Sequence, residues 1–453
     1  MLDSQEIIAT AVAVLNHRYG GQQQLTDPEE LSGTGATTVL RLRVANNPVF
    51  PHRSVVVKYS PESNDEVDDA AFLREVVAYQ FTTSLSEDVR PGPVLLGYDI
   101  ERRVLILSDA GNAETFADLL EQSDDEARVR LLRNLGTSLG KMHAGTAGAE
   151  TSFNILLARM VRSIEGAREI KIQREAMLEN RIQEGLDIVR EMGVAVPADV
   201  AAVAETVQAR MLHGGSRAFT PFDLSPDNII FAERAQFLDY EWAGFRDVIA
   251  DIAGVIAGFP QYISARPISE DETKVFVDAW VAEVGGVWPS VLNHDTLQAR
   301  ITAALVGWAF FSASLLEYTR VADDGVTESA EEEAEARSIR RDVAGTFNAL
   351  ARYAQSGTEP TYAVMATFAR EVSERLACRR AACSRIPVGD AHPSRGRAPA
   401  GRAAAPRSST QVQPHPSRRG CGRARSTSSW AKSIYLVPAA HCAGSWRAPA
   451  KRR

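Results

Sequence analysis

The sequence predicts an α+β protein of two lobes followed by a disordered C-terminal tail, and three observations support this. Residues 1–110 contain several short runs of alternating apolar residues, which predict a small antiparallel β-sheet N-lobe after a leading helix. From residue 111 to residue 377 apolar residues recur at helical spacing, which predicts a larger, mainly helical C-lobe. Residues 378–453 are rich in Arg, Ala, Pro, Ser and Gly, and such a segment buries too little apolar surface to fold.

The 453-residue chain is 45% apolar, so it can bury a large core. Residues 1–377 carry 57 acidic and 34 basic side chains, whereas residues 378–453 carry 16 basic side chains and one acid. An acidic body argues against nucleic acid as a partner and favours a cationic small molecule through electrostatic steering. All four cysteines lie in the tail, so a disulfide framework in the body is excluded, which fits a reducing cytoplasm.

The first ten residues, MLDSQEIIAT, lack the basic start and apolar run of a secretory signal. Residues 303–316 form the longest apolar stretch, which is too short to span a membrane and predicts a buried helix. We therefore expect a soluble, cytoplasmic protein without a membrane partner.

The first helix is predicted to begin at a cap formed by Ser4 and to end at Gly20. Gly33 and Gly35 follow in a turn before the alternating strand Thr38–Val44. Glycines in such a turn let backbone amides approach an anion closely, although an ordinary hairpin turn is the commoner explanation.

A lysine and a glutamate interrupt otherwise apolar patterns in the N-lobe. Lys58 lies among the valines of a predicted strand at residues 54–60, where an unpaired ammonium would be costly. Glu75 shares the apolar face of the next predicted helix, at about residues 65–85. We predict that the two side chains pair; a purely structural salt bridge and two snorkelling surface residues are the alternatives.

Two further strands, 93–98 and 103–107, complete the predicted sheet, and Ser108–Gly111 is interpreted as the connector to the helices. His143, near the end of a predicted helix, is expected to be a satisfied core or cap residue. Asp247 and Asp251 lie four residues apart and are predicted to share a helical face, where they could cap amides or hold the neighbouring loop.

Residues 219–242 read as a polar loop, a short strand, a turn and a second strand. The segment contains four oxygen-bearing side chains, Asp223, Asn228, Asp239 and Glu241. Magnesium prefers oxygen ligands of this kind, and the lack of a nearby Cys or His argues against zinc. Taken alone, the segment is equally compatible with a calcium site or a structural site.

We predict that the strand Ile229–Phe231 pairs with residues 236–238 around a turn centred between Glu233 and Arg234. This register would place Asn228 directly across from the aspartate that ends the second strand, with their β-carbons about 5 Å apart.

The order of these features resembles the aminoglycoside phosphotransferase and choline kinase family, within the protein-kinase-like superfamily. The resemblance covers about residues 20–375, and its most specific part is DLSPDN at residues 223–228, followed by the hairpin and DYE at residues 239–241. It implies a protein-kinase-like two-lobed fold and a phosphotransferase that moves the γ-phosphate of ATP, with Mg²⁺, to a hydroxyl of a small molecule.

The resemblance also implies roles for individual residues. Asp223 would orient or deprotonate the acceptor hydroxyl, and Asn228 and Asp239 would hold magnesium. Lys58, fixed by Glu75, would bind the α- and β-phosphates.

Two more elements would contact the nucleotide according to the same resemblance. Gly33 and Gly35 would form the loop that approaches the phosphates, and the backbone from Ser108 to Ala110 would read adenine.

The chain departs from the family pattern HGDLHPGN in the loop before Asn228. Pro221, Phe222 and Ser225 stand where the family has His, Gly and His. The first of these histidines supports the loop and is not the base, so its loss should weaken the geometry without removing the chemistry. A catalytically impaired nucleotide-binding or scaffold protein on the same fold therefore remains the alternative.

A protein kinase that acts on Ser or Thr is disfavoured, because the chain after Asp239 has no activation-loop length and no APE-like segment. The acceptor stays open among an aminoglycoside, another hydroxylated antibiotic, a choline-like amine and a sugar. The acidic body favours the cationic candidates.

Overall fold

The structure is a computed structural model, and it describes residues 2–31, 37–62, 66–164, 166–260, 262, 266–319 and 330–378. The predicted glycine turn, with Gly33 and Gly35, and the predicted tail from residue 379 onward lie outside the described residues. The described residues up to Ala377 belong to one compact unit.

The first part of the chain forms a five-stranded antiparallel sheet with strand order β1-β2-β3-β5-β4. Its elements are α1 (Ser4–Tyr19), β1 (Leu25–Leu31), β2 (Thr38–Val44), β3 (Ser54–Tyr59), α2 (Glu66–Thr83), β4 (Leu95–Asp99) and β5 (Val104–Ser108). The sequence predicted Ser4 as the cap of α1, but the cap is Asp3. Asp3 and Glu6 form a capping box, in which each carboxylate accepts the backbone N–H of the other residue.

The central strand β3 divides its side chains between two faces because successive residues of a strand point in opposite directions. Val55 and Val57 are fully buried in the core that Ile7, Ala11 and other residues of α1 share with the sheet. Lys58 lies on the opposite face of the strand, where it contacts α2. The alternation therefore explains how a lysine can sit in a valine-rich strand.

The rest of the described chain is mainly helical. The elements are β6 (Glu114–Thr115), α3 (Phe116–Gln122), α4 (Asp125–Thr146), α5 (Glu150–Arg162), α6 (Ala167–Glu191), α7 (Ala198–His213), β7 (Arg217–Thr220), β8 (Ile229–Phe231), β9 (Ala235–Phe237), β10 (Gly244–Asp247), α8 (Ile249–Ile256), α9 (Glu270–Val284), α10 (His294–Ala313), α11 (Ala330–Gln355) and α12 (Pro360–Cys378). Two small sheets, β10-β7 and β6-β8-β9, accompany the helices. The predicted α+β class, with a small antiparallel sheet followed by a helical lobe, is confirmed.

The helical lobe packs around α10, where Trp308, Phe310 and Phe311 are buried. Residues His294–Thr319 are long and apolar enough to cross a membrane by length and composition alone. However, 78% of the most apolar window is buried inside the protein, as expected for a core helix. The prediction of a buried helix at residues 303–316 is confirmed.

The β8–β9 hairpin exists, but its predicted register was wrong by one residue. Ile229 pairs with Phe237 and Phe231 pairs with Ala235, so the turn is centred on Glu233. A three-residue connection replaces the assumed symmetric turn, and a shift of one residue changes which side chains face each other.

Candidate active site

Lys58 is the centre of a three-residue charge cluster. Its ammonium donates to the carboxylate of Glu75 at 2.7 Å and to that of Asp239 at 2.8 Å. Glu75 is only 2% exposed, and α2 holds it against β3. The predicted pairing of Lys58 with Glu75 is confirmed, whereas the contact with Asp239 was not foreseen from the sequence.

The cluster places one ammonium among several carboxylates. Burial alone would lower the pKa of Lys58, but the charges of Asp239 and Glu75 outweigh it and raise that pKa. Burial raises the pKa of the Glu75 carboxyl to about 7, because the negative charges of Asp239 and Glu241 add to it and Lys58 lowers this pKa only in part. A cation or a phosphate group that bound beside this cluster would therefore change its net charge strongly.

The segment that carries Asp239 is fixed against α2. Asp239 has a left-handed backbone with φ of 58°, which aspartate tolerates better than most residues. The following Tyr240 is fully buried, and its ring packs against that of Tyr79 with centroids 4.6 Å apart. Tyr79 lies one turn after Glu75, so the same helix positions both acidic partners of Lys58.

Asp223 lies in the loop between β7 and the β8–β9 hairpin. One of its oxygens accepts the backbone N–H of Ser225 at 2.9 Å, and the other accepts the Asn228 amide at 3.1 Å. Leu238 donates its N–H to the Asn228 carbonyl at 2.8 Å, which joins this loop to the base of the hairpin. The side chains of Asp223 and Asn228 thus meet, and Asn228 does not face Asp239 in the predicted direct opposition.

Phe222, beside Asp223, adopts a left-handed backbone with φ of 70°. A bulky residue in this region costs about 1–3 kcal/mol unless its surroundings hold it there. The ring stacks on Trp308 at 5.6 Å between centroids, and the guanidinium carbon of Arg246 lies 4.6 Å from the ring centroid. Aromatic packing therefore holds a backbone conformation that glycine would adopt without strain.

A buried trio lies on the helices behind this loop. His143 of α4 is fully buried, its Nδ1 accepts the indole N–H of Trp280 at 3.0 Å, and its Nε2 lies 3.3 Å from Asp251. This satisfied core role for His143 is the one predicted. Asp251 also borders a small cavity of about 20 Å³ that Asp223 lines.

Asp247 and Asp251 do not share a helical face, because α8 begins only at Ile249. Asp247 ends β10, where it accepts the N–H of Ile249 at 3.2 Å and pairs with Arg300 at 3.0 Å. Asp251 is 1% exposed and contacts His143. The four-residue spacing of the two aspartates was the available signal, but it did not show that β10 ends between them.

The connector after β5 is anchored by Arg41. Its guanidinium lies 3.1 Å from the Asp109 carboxylate and donates to the Gly111 carbonyl at 2.7 Å. The N–H of Ser108 donates to the Val94 carbonyl, so this amide already has a hydrogen-bond partner next to the sheet. Of the two residues predicted to read adenine, Ala110 is the one that lies in the connection beyond the strand.

The donor set at the base of the hairpin suits magnesium and not a transition metal. It consists of the Asp239 carboxylate and the amide oxygen of Asn228, whose nitrogen donates to Asp223. Magnesium commonly takes only one or two protein oxygens and completes its shell with phosphates and water. Among the residues that the structure describes, no group of three or more His, Cys, Asp or Glu side chains could hold a metal by itself.

Comparison by sequence gives no match, either to a protein-family model or to a curated protein. Comparison by structure gives matches to solved small-molecule kinases. Choline kinase from Cryptosporidium parvum Iowa II has a TM-score of 0.45 and 11% identity, covering 80% of this chain and 99% of that one.

Two further solved structures have a TM-score of 0.40. Aminoglycoside phosphotransferase APH(2'')-Ib bound to ADP has 12% identity, and the match covers 77% of this chain and 99% of that chain. Choline kinase LicA from Streptococcus pneumoniae has 13% identity, and the match covers 71% of this chain and 94% of that chain. These proteins are from the two kinase groups that the motif order resembles.

Proposed function

We propose that the protein is a small-molecule kinase that transfers the γ-phosphate of ATP to a hydroxyl group of a small acceptor. One observation carries the proposal: Lys58, paired with Glu75 at 2.7 Å, also contacts Asp239 at 2.8 Å. Lys58 would supply the phosphate-binding group. Asp239 and Asn228 would supply groups for the metal, and Asp223, hydrogen-bonded to Asn228, would supply the group for the acceptor.

Phosphoryl transfer depends mainly on positioning and on neutralising phosphate charge. The oxygen of the acceptor hydroxyl forms a bond to the γ-phosphorus, while the bond from that phosphorus to the oxygen bridging to the β-phosphate breaks. ADP leaves with that electron pair. Asp223 takes the hydroxyl proton or orients it, and its hydrogen bonds from Ser225 and Asn228 keep the carboxylate in place.

Asn228 and Asp239 would hold magnesium, which neutralises phosphate charge when it is bound. Lys58 would contact the α- and β-phosphates. Lys58 donates to both Glu75 and Asp239 in this structure. Binding of a nucleotide with its metal would therefore change the contact between Lys58 and Asp239. Glu75 would keep Lys58 in position during this exchange, since α2 and β3 fix both residues.

A thermal-shift titration with ATP, with and without magnesium, tests nucleotide binding. ATP consumption over a panel of hydroxylated amines, aminoglycosides and sugars then tests the activity. For an acceptor that is turned over, Asp223→Ala should lower the turnover at least about a hundredfold, the usual contribution of a positioned base. Asp187→Ala, which removes an exposed carboxylate on α6, is the matched control.

The second candidate is a nucleotide-binding or scaffold protein without transferase activity. Phe222 and Pro221, in place of the family Gly and His, favour it. A magnesium-dependent thermal shift without turnover of any acceptor would support an impaired nucleotide-binding protein. The absence of any magnesium-dependent shift would support a scaffold and contradict the kinase proposal.

A further inference from the structure

A cavity of about 420 Å³ lies between α4, the segment that follows α2 and the β8–β9 hairpin. It shares no lining residue with the candidate active site. Five cationic side chains and one carboxylate line it: Arg90, Arg130, Arg133, Lys141, Arg234 and Glu233.

The charge of this lining is opposite to that of the surrounding protein. Residues 1–377 contain 57 acidic and 34 basic side chains, so acids outnumber bases in the body as a whole. A surface drawn from this composition would be acidic on average, whereas the cavity carries five bases against one acid. Clefts lined by one sign of charge concentrate ligands of the other sign.

The three cations that α4 contributes to the cavity, Arg130, Arg133 and Lys141, are not held in buried ion pairs with carboxylates of the described residues. Across the described part of the chain, neither Arg133 nor Lys141 forms an ion pair with a carboxylate. Within the described residues, Arg130 pairs only with Glu126, at 3.8 Å in a solvent-exposed contact of the kind that contributes little. The charges of these three side chains therefore remain available to a ligand.

The opposite wall adds two arginines held in place by the backbone. Arg234 donates to the carbonyls of Glu87, Asp88 and Arg90 at 2.7, 3.0 and 2.8 Å, which leaves its positive charge uncompensated by those groups. Arg90 donates from Nη2 to the Leu85 carbonyl. Its Nε is buried and has no hydrogen-bond partner among the described residues.

We propose that this cavity binds a small phosphorylated metabolite with at least two negative charges. Arg133 and Lys141 would contact its phosphate groups, and the Thr137 hydroxyl lies on the same wall. Val89, Pro91 and Phe237 give the cavity an apolar portion that suits the carbon skeleton of such a ligand. The volume lies in the range of about 300–1,000 Å³ that is usual for small-molecule sites.

A ligand in this cavity would touch the hairpin that leads to the candidate active site. Ala235 donates its N–H to Asn134 of α4 at 3.1 Å, and Phe237 donates its N–H to Pro91 at 2.8 Å. The same hairpin begins after Asn228 and ends before Asp239. Occupancy of the cavity would thus stabilise the hairpin against α4.

Calorimetric titration of the full-length protein with inorganic pyrophosphate, in magnesium-free buffer, tests the proposal. The Lys58→Met variant separates this cavity from the nucleotide site, and it should still bind pyrophosphate. Adding Arg133→Gln and Lys141→Gln to that variant should weaken binding at least about tenfold. Arg159→Gln with Arg168→Gln, which removes two exposed cations from α5 and α6, is the matched control and should leave binding unchanged.

Circular dichroism first establishes that Lys58→Met is folded at the titration temperature; if it is not, the Arg133 and Lys141 substitutions are compared in the unmodified protein instead. Loss of pyrophosphate binding in folded Lys58→Met would overturn the proposal, because it would assign all binding to the nucleotide site. Equal affinity with and without the Arg133 and Lys141 substitutions would also overturn it. A polyglutamate peptide that binds more tightly than pyrophosphate, and loses affinity on the same substitutions, would show that the cavity serves an acidic protein segment instead. None of these outcomes depends on whether the protein transfers phosphate.

Discussion

The ammonium nitrogen of Lys58 lies 2.8 Å from a carboxylate oxygen of Asp239, a residue 181 positions later in the chain. This contact joins the sheet to the hairpin segment across the candidate active site. Because Glu75 holds the same ammonium at 2.7 Å, a single cation satisfies two acidic groups that would otherwise repel each other.

Lys58→Met should therefore destabilise the folded protein by about 3–5 kcal/mol, the usual cost of removing one partner from a buried ion pair. Urea unfolding measures this change. The double variant Lys58→Met with Glu75→Gln should recover part of the loss, since it also removes one of the two carboxylates. Equal stability of Lys58→Met and the unmodified protein would show that the cluster contributes no net stability.

The raised pKa of Glu75 predicts a specific dependence of stability on pH. Between the ordinary pKa of about 4.5 and the folded-state value of about 7, the folded protein keeps a proton that the unfolded chain has released. The free energy of unfolding should therefore fall as the pH rises through this window, by up to about 3 kcal/mol from this group. Urea titrations at several pH values should show a shallower slope for Glu75→Gln, and identical slopes would contradict the assignment.

Phe222 offers a test of stored backbone strain. Phe222→Ala removes the stack on Trp308 but keeps a side chain at φ of 70°, so it should destabilise the protein by about 3–5 kcal/mol. Phe222→Gly loses the same ring but relieves the strain, so it should be about 1 kcal/mol more stable than Phe222→Ala. Elsewhere glycine is normally the less stable of the two, so the reverse order would show that this backbone is not strained.

The C-terminal boundary of the folded unit can be tested by truncation. Within the described residues, the buried core ends on α12, where Met365, Phe368 and Val372 are buried. A chain that ends at Cys378 should keep its melting temperature within about 2 °C of that of the full chain, because it loses no described core residue. A chain that ends at Gly357 lacks α12 and should lose several kcal/mol, and equal stability of the two truncations would contradict this boundary.

The candidate site could be located from the sequence because two of its charged residues interrupt apolar patterns of a strand and a helix. Lys58 in a valine strand and Glu75 on an apolar helix face each needed a partner, and their separation of 17 residues made the pairing predictable. Asp223 and Asn228 were identified by their spacing in one loop. The hairpin register was missed because the lengths of short turns are weakly specified by residue type.

The sequence by itself determined the α+β class, the order of sheet and helices, and the pairing of Lys58 with Glu75. Periodicity and side-chain chemistry are local properties, and they can be read from neighbouring residues. Only the tertiary structure decided that Lys58 contacts Asp239, that His143 meets Asp251 and that aromatic packing holds Phe222 in a left-handed backbone. These contacts join residues that are far apart in the chain, and their geometry follows from the packing of whole helices and strands.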